Sequence, residues 1–259
     1  MGSLNTAATG MLAQQTNIEV ISNNIANMNT TAYTRRQAEF NDLLYQNLRR
    51  GGANSSDAGT IAPTGVQLGL GIKTVAVYRI TEQGSLLNTD NTLDLEIQGK
   101  GYFQVTLPSG EIAYTRDGSF QLSPQGKLVT HKGYRIEPGI TIPNDAVGIA
   151  INSSGEVMVK KDGQVTPQTV GQLMLATFPN DAGLEAVGDN LLKETPASGG
   201  AIAATPDSAG YGTILQGFLE TSNVNVVSKV TSLISAQQAY EMNSKVIQTS
   251  DEMMSTTVN

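Results

Sequence analysis

His131 is the one side chain here whose ordinary pKa suits proton transfer near neutral pH, and it has no second histidine to work with. It sits in "VTHKGY", a turn-like stretch, where a solvated polar residue is the plainer reading than a general base. The acidic residues of "NTDNTLDLEI" (Asp90, Asp94 and Glu96) could offer oxygens to a hard cation. That stretch lacks the glycine and closing glutamate of an EF-hand loop. If it is extended, Asp94 and Glu96 share one strand face and read as a solvated edge. The glycine clusters "GLGIK" (Gly69 to Lys73) and "GKG" (Gly99 to Gly101) lack the strand–turn–helix spacing of a phosphate cradle. They read as bends or as sites of close backbone approach. Asn29, Asn54 and Asn152 open glycosylation-like triplets, which Asn- and Ser-rich sequence yields by accident. There is no G-x-S-x-G elbow, HExxH or P-loop, and no cysteine for thiolate chemistry, disulfides or a zinc site. The expectation is therefore no catalytic, cofactor-binding or metal site: a protein that is not an enzyme.

The elements that hold these residues are better defined than any chemistry. Leu4, Ala7, Met11, Gln14, Ile18, Ile21, Ile25 and Met28 recur in steps of three and four, a narrow seam with one polar layer at Gln14. The opposite face carries Thr6, Thr9, Asn17, Ser22 and Asn24, with almost no charge where a solvated helix would carry Lys and Glu. The far end mirrors it. Val226, Val230, Leu233, Gln237, Tyr240, Ser244, Ile247 and Met254 fall on one helical seam, with Asn223 or Ser222 as the expected N-cap. Each helix is too slender to bury itself alone, so they pair with each other, with copies of themselves, or both.

Between them the period changes. Residues 48–71 are Gly-rich and irregular. From Ile72 to about Gly217, short alternating runs are punctuated by turn signals at Pro108-Ser109-Gly110, Asp117-Gly118, Pro124-Gln125-Gly126, Ser154-Gly155 and Asp162-Gly163. The expected fold is α+β: N- and C-terminal helices forming a coiled-coil domain (1–34 with 220–259), an extended linker arm (35–71) and a hairpin-rich β body (72–219).

Charged residues make up only 15% of the 259, beside 27 glycines. That balance suits a turn-rich β domain, or a surface covered by other protein. A formal charge of −7 disfavours nucleic acid as a partner. No run approaches the roughly 18 apolar residues of a membrane span, so no membrane insertion is expected. The opening "MGSLNTAATGMLAQQTNIEV" has neither a basic region nor a continuous apolar core, so export would proceed without a cleaved signal peptide.

The stretch "NNIANMNTTAYTRR", Asn23 to Arg36, then stands out, because it ends an amphipathic helix in amides and hydroxyls. It closely resembles the N-terminal signature of the flagellar axial proteins, the rod, hook and hook-associated subunits. The matching positions are Asn23, Asn24, Ala26, Asn27, Asn29, Thr30, Tyr33 and Arg35. "GFLETSNVNVVSKVTSLISAQQAYEMNSKVIQTSDEMM" resembles the C-terminal pattern of the same family. "GVQLGLGIKT", "GSLLNTDNTLDLEIQGKGYFQV" and "YTRDGSFQLSPQGKLVTHKGY" extend the resemblance to distal-rod members over essentially the whole length. Ala32 and Thr34 depart from it, standing where relatives often carry glycine and lysine.

The resemblance implies a structural subunit of the distal rod, a drive shaft that self-assembles into a rigid helical tube. It places the seam residues Leu4, Met11, Ile18, Ile21, Ile25, Met28, Val226, Val230, Leu233, Tyr240, Ile247 and Met254 at the assembly interface. It also implies as partners other copies of the chain, proximal rod proteins, the hook protein, the peptidoglycan-ring and outer-membrane-ring proteins, and the flagellar type III export apparatus. The location implied is the basal body, from periplasm to outer membrane. A proximal rod or hook subunit of the same family is the alternative. Arg35 and Arg36 are expected to pair with carboxylates of neighbouring subunits.

Overall fold

The apolar steps at the start of the chain fold as helix α1 (Gly2–Ala26) in the computed structural model, which describes residues 2–49, 64–164 and 166–258. Its hydroxyls close back on the helix: Thr6 Oγ1 donates to the Gly2 carbonyl at 3.0 Å and Thr16 Oγ1 to that of Leu12 at 3.1 Å. The C-terminal seam folds as helix α2 (Val226–Val258). Its cap is Asn225, two residues after Asn223 and three after Ser222, whose Oδ1 accepts the Ser228 amide at 3.0 Å. Asn223, expected as the cap, serves a different purpose described below.

The two helices pack antiparallel, with Ser3 beside Ser250 (3.4 Å between hydroxyls) and Gly10 beside Asn243. Their contact is made by small residues: Ala7 and Ala13 on α1, and Ala236 and Ser250 on α2, are buried, with Ile21 the one large buried apolar side chain among the described residues of the two helices. Small side chains set a short interaxial distance. A Cβ on Gly10 would stand 2.9 Å from the Asn243 amide nitrogen, so even alanine would have to push that side chain aside.

Strands β1 (Arg36–Asp42), β2 (Tyr45–Arg49), β3 (Val66–Gly69) and β4 (Ile72–Arg79) complete this unit. β1 pairs antiparallel with β4 and β2 with β3. Hydrogen bonds from Leu43 to Gly71 (2.8 Å) and from Leu70 to Leu44 (3.2 Å) join both pairs into one long ribbon. Gly71 is required where the ribbon meets α1. Its φ is +120°, and a Cβ there would lie 2.2 Å from Thr9 Oγ1. The compact unit comprises Met1–Ala26, Arg36–Arg79 and Asn225–Asn259, so the strands through Arg79 group with the helices. Of the arm expected at 35–71, residues 50–63 lie outside the described residues, and the rest includes β1, β2 and β3.

The second unit, Asn27–Arg35 with Ile80–Val224, is the β body. Its strands are β5 (Leu86–Asn88), β6 (Leu95–Gln98), β7 (Tyr102–Thr106), β8 (Ile112–Thr115), β9 (Phe120–Leu122), β10 (Leu128–Thr130), β11 (Arg135–Ile136) and β12 (Ala146–Ile151). They continue as β13 (Glu156–Lys161), β14 (Gln168–Gln172), β15 (Leu175–Thr177), β16 (Glu185–Gly188), β17 (Leu191–Lys193), β18 (Ile202–Ala204), β19 (Thr213–Gln216) and β20 (Phe218–Glu220). The main sheet runs β16-β17-β8-β7-β11-β10-β9, with β15 pairing both β7 and β18. A three-stranded sheet, β12-β13-β14, and the pairs β19-β6 and β20-β5 make up the rest.

Strand β7 shows why the body holds together. Phe103 points into a core with Phe120, Leu128, Leu175 and Ile214, while the neighbouring Tyr102 points the other way against Tyr114 and Phe178. Alternation thus feeds two clusters from one strand. Ring contacts lock them edge-on, Phe103–Phe120 at 5.0 Å and Tyr114–Phe178 at 4.8 Å between centroids. Full burial of a side chain such as Phe103 stabilises by about 1.5–3 kcal/mol.

Most turn signals close hairpins: Pro108–Gly110 between β7 and β8, Pro124–Gly126 between β9 and β10, Ser154-Gly155 between β12 and β13. Asp117-Gly118 does not. β8 and β9 pair with other strands, and Gly118 instead crosses the chain at Leu95, donating no Cβ where one would sit 1.6 Å from the Leu95 carbonyl oxygen.

Candidate assembly interface

The amide-rich stretch is held by side-chain carboxamides bonding backbone within each unit. Asn24, on the last turn of α1, is fully buried. Its Oδ1 accepts the Arg36 amide at 2.7 Å and its Nδ2 donates to the Arg36 carbonyl at 2.8 Å. One carboxamide therefore imitates a strand partner and fixes where β1 begins. No charged or purely apolar side chain could offer both a donor and an acceptor in that place.

Within the body, residues 27–35 are held at several points. Thr30 donates its amide to the Asn27 carbonyl (3.2 Å) and its hydroxyl to Asn27 Oδ1 (3.2 Å). The Ala32 amide reaches the Glu220 carbonyl at 2.8 Å, and Asn190 Nδ2 donates to the Thr31 carbonyl at 3.1 Å. Ala32 adopts φ +55°, a left-handed conformation that explains why glycine suits the position better than alanine. Asn223 ties three segments together. Its Oδ1 accepts the Arg35 amide (2.7 Å), and its Nδ2 donates to the carbonyls of Ile80 (2.9 Å) and Glu82 (2.8 Å). An asparagine shortly before a helix carries the same sequence signal whether it caps the helix or ties distant backbone, and here it ties.

Arg35 finds its carboxylate in its own chain, at Glu82 Oε2, 2.7 Å away. Of the other motif positions, Thr30 and Tyr33 are half-buried, and Asn29 is exposed.

On α1, the seam residues Leu4, Met11, Ile18 and Ile25 are half-buried around Ile21, and Met28 lies beyond the helix end, 39% exposed. On α2, Leu233 and Ile247 are half-buried. Val226, Val230, Tyr240 and Met254 are roughly two-fifths exposed. A second stripe, unread in the sequence, faces further out: Val227, Ile234, Met242, Val246 and Met253, with Val227 79% exposed. The hydroxyls between them are satisfied within the helix. Thr231 Oγ1 donates to Val227, Ser232 Oγ to Ser228 and Ser235 Oγ to Thr231, at 2.9–3.1 Å.

The β2–β3 part of the ribbon repeats the theme. Leu44 on one side of the ribbon, and Leu70, Leu68 and Val66 on the other, share a face with Gln46 and are exposed, as is Leu48 at the bulge. Gln67 and Asn47 share the opposite face.

The acidic residues are not a solvated edge. Asp94 is buried and takes hydrogen bonds from Thr89 Oγ1 (2.6 Å) and Asn91 Nδ2 (2.9 Å). Glu96 is 1% exposed and lies with Glu220 and Arg116. Burial, and then the Glu220 charge, push its carboxyl up to about 7, against the opposing pull of Arg116 and the Gln83 amide. His131 is exposed in its turn. Among the described residues, no group of His, Asp or Glu is arranged to hold a metal ion, and no helix is long and apolar enough to cross a membrane.

The terminal helices and the strand-rich body coincide with segments that match the rod and hook proteins of the bacterial flagellum. Residues 4–34 match the family model for flagella basal body rod proteins, residues 96–159 that for the D1 domain of the hook protein FlgE/F/G, and residues 215–259 that for the C-terminal part of FlgEFG rod proteins. The chain is 60% identical to the flagellar basal-body rod protein FlgG of Caulobacter vibrioides, over 99% of this chain and 98% of that protein. It is 45% identical to FlgG of Borreliella burgdorferi (98% and 96% covered) and 38% identical to FlgG of Bacillus subtilis (99% and 98%). The chain belongs to the FlgG family of flagellar basal-body rod proteins, structural components of the basal body.

Proposed function

We propose that this chain is the subunit of the distal rod, the part of the drive shaft that passes torque through the periplasm and outer membrane to the hook. Copies pack through α1 and α2 into a coiled-coil inner layer of the tube. The observation that carries this reading is the makeup of α2. The helix turns its small residues, Ala236 to Ser250, toward α1 and leaves two apolar stripes uncovered. Exposed apolar stripes of that length mark protein–protein contact. Covering them removes few unsatisfied groups from water, because the intervening hydroxyls already bond their own helix. Such a surface is suited to burial and ill suited to permanent exposure.

The leucine- and valine-rich face of the β2–β3 ribbon extends the same logic: it lies on a neighbouring subunit and resists sliding, which makes the polymer straight and stiff. The partners are then further copies of the chain, the proximal rod below, the hook protein above, the peptidoglycan-ring and outer-membrane-ring proteins around it, and the type III apparatus that exports it without cleavage. The role is mechanical and involves no catalysis. Electron microscopy of the purified chain under assembly conditions tests this. Straight tubes are expected; a chain that stays monomeric at high concentration and never forms tubes refutes the reading.

A further inference from the structure

Three connections of the β body converge on one buried ionic cluster, which the assembly reading does not use. Arg116, in the loop after β8, donates from Nε to Glu220 Oε2 at 2.7 Å. Its remaining nitrogens reach the carbonyls of Ile97 (2.8 Å), Gly99 (2.8 Å) and Gly101 (2.9 Å). Glu220 Oε1 accepts the Gly84 amide at 2.9 Å, and the carbonyl of the same residue accepts the Ala32 amide. Glu96, on β6, takes a hydrogen bond from Gln83 Nε2 on one oxygen, while its other oxygen, Oε2, is buried with no hydrogen-bond partner. The two carboxyls are 1% and 4% exposed, and Arg116 acts on both.

Counting charges shows what such a cluster prefers. With Arg116 and Glu220 ionised, it is neutral only when Glu96 carries a proton. Ionised Glu96 leaves one net negative charge buried, concentrated beside an oxygen that no donor faces, which is costly away from water.

We propose that Glu96, Arg116 and Glu220 form a proton-operated clamp. Protonated Glu96 keeps the connections through Gly84, Gly99–Gly101 and Ala32 closed, and ionised Glu96 competes for Arg116 and loosens them. The charged groups acting on Glu96 are Glu220 from β20 and Arg116 from the loop after β8; Gln83, from the segment before β5, is neutral. Glu82, the other acid in that segment, is engaged by Arg35. The raised carboxyl sets the direction. A folded acid that holds its proton more tightly than when unfolded contributes stability that is complete below the ordinary 4.5 and is lost as pH rises through about 7. The clamp concerns the body alone and stands whether or not the chain assembles as proposed above.

Hydrogen–deuterium exchange on the full chain, held monomeric by low concentration, tests the clamp between pH 5.5 and 8. After correction for the intrinsic pH dependence of exchange, local opening around residues 83–85, 99–101 and 218–221 should rise on the order of 25-fold, from the shift between 4.5 and about 7. Glu96→Gln, which stands in for the protonated acid, should remove that rise while keeping the segments protected. Opening that is flat with pH in the natural chain, or an equal rise in E96Q, overturns the clamp. Should E96Q fail to fold, carbon-13 titration of the Glu96 carboxyl in the natural chain decides: an ordinary carboxylate midpoint overturns the proposal, and a midpoint near neutrality upholds it.

Discussion

Replacing Asn24 by alanine removes one side chain and orphans two backbone groups, which makes its cost calculable. In the native chain the carboxamide gives Arg36 both an acceptor, at 2.7 Å, and a donor, at 2.8 Å, at a position with no solvent exposure. A net hydrogen bond contributes about 0.5–1.5 kcal/mol, and a buried group left unsatisfied costs about 1–3 kcal/mol. Two such groups, partly relieved by water entering the space left by the carboxamide, put Asn24→Ala at about 2–4 kcal/mol. Asn24→Asp should cost as much or more. It keeps an acceptor for the Arg36 amide but sets an oxygen against the Arg36 carbonyl, and it buries a charge. Urea unfolding of the monomer measures the loss, and exchange of the Arg36 amide locates it: protection there should fall before that of Phe103 in the body. Asn29→Ala, at an exposed position of the same motif, serves as the control and should stay within about 0.5 kcal/mol. If Asn24→Ala matches that control and the Arg36 amide stays protected, the anchoring role assigned to Asn24 is wrong.

Other changes separate the monomer's needs from those of the polymer. Ala32→Gly should stabilise the body by up to about 1 kcal/mol in urea unfolding, since φ +55° strains alanine and not glycine, less whatever the looser unfolded chain takes back. Ile234→Asp or Met242→Asp, each at least half exposed, should leave the monomer's Tm nearly unchanged yet abolish tubes seen by electron microscopy, because each carboxylate is desolvated only on assembly. Deleting residues 51–63 leaves three residues between the register partners Arg49 and Val66, enough for a hairpin. That variant should melt like the parent but yield curved or polymorphic polymers; straight, stiff ones would remove the arm from any account of rigidity.

Periodicity carried the helices and the β body into view because both depend on side chains a few residues apart. Steps of three and four put Ile21 on one seam of α1, where it is buried, and short alternating runs mark the strands of the body. What it missed depends on residues far apart in the chain. Asp94 and Glu96 look like an exposed edge locally, and only the arrival of Arg116 and Glu220 makes a buried place for Glu96. Asn223 carries the signal of a cap, yet Arg35, 188 residues earlier, claims its oxygen. Gly118 reads as a hairpin turn until Leu95 is seen to occupy the space a Cβ would need.

The side chains of α2 that the chain itself covers are not its largest apolar ones. A seam drawn through the largest apolar residues assumes that the first partner takes the largest side chains. Here α1 takes the small ones, Ala236 and Ser250 among them, and much of the bulkier apolar surface is left outside the chain. For a protein that folds alone this would be a poor use of Val227, Ile234 and Met242. In the assembly proposed above, the helices meet one partner within the chain and others outside it, so close backbone approach is used first and the larger apolar area remains for the contacts between copies.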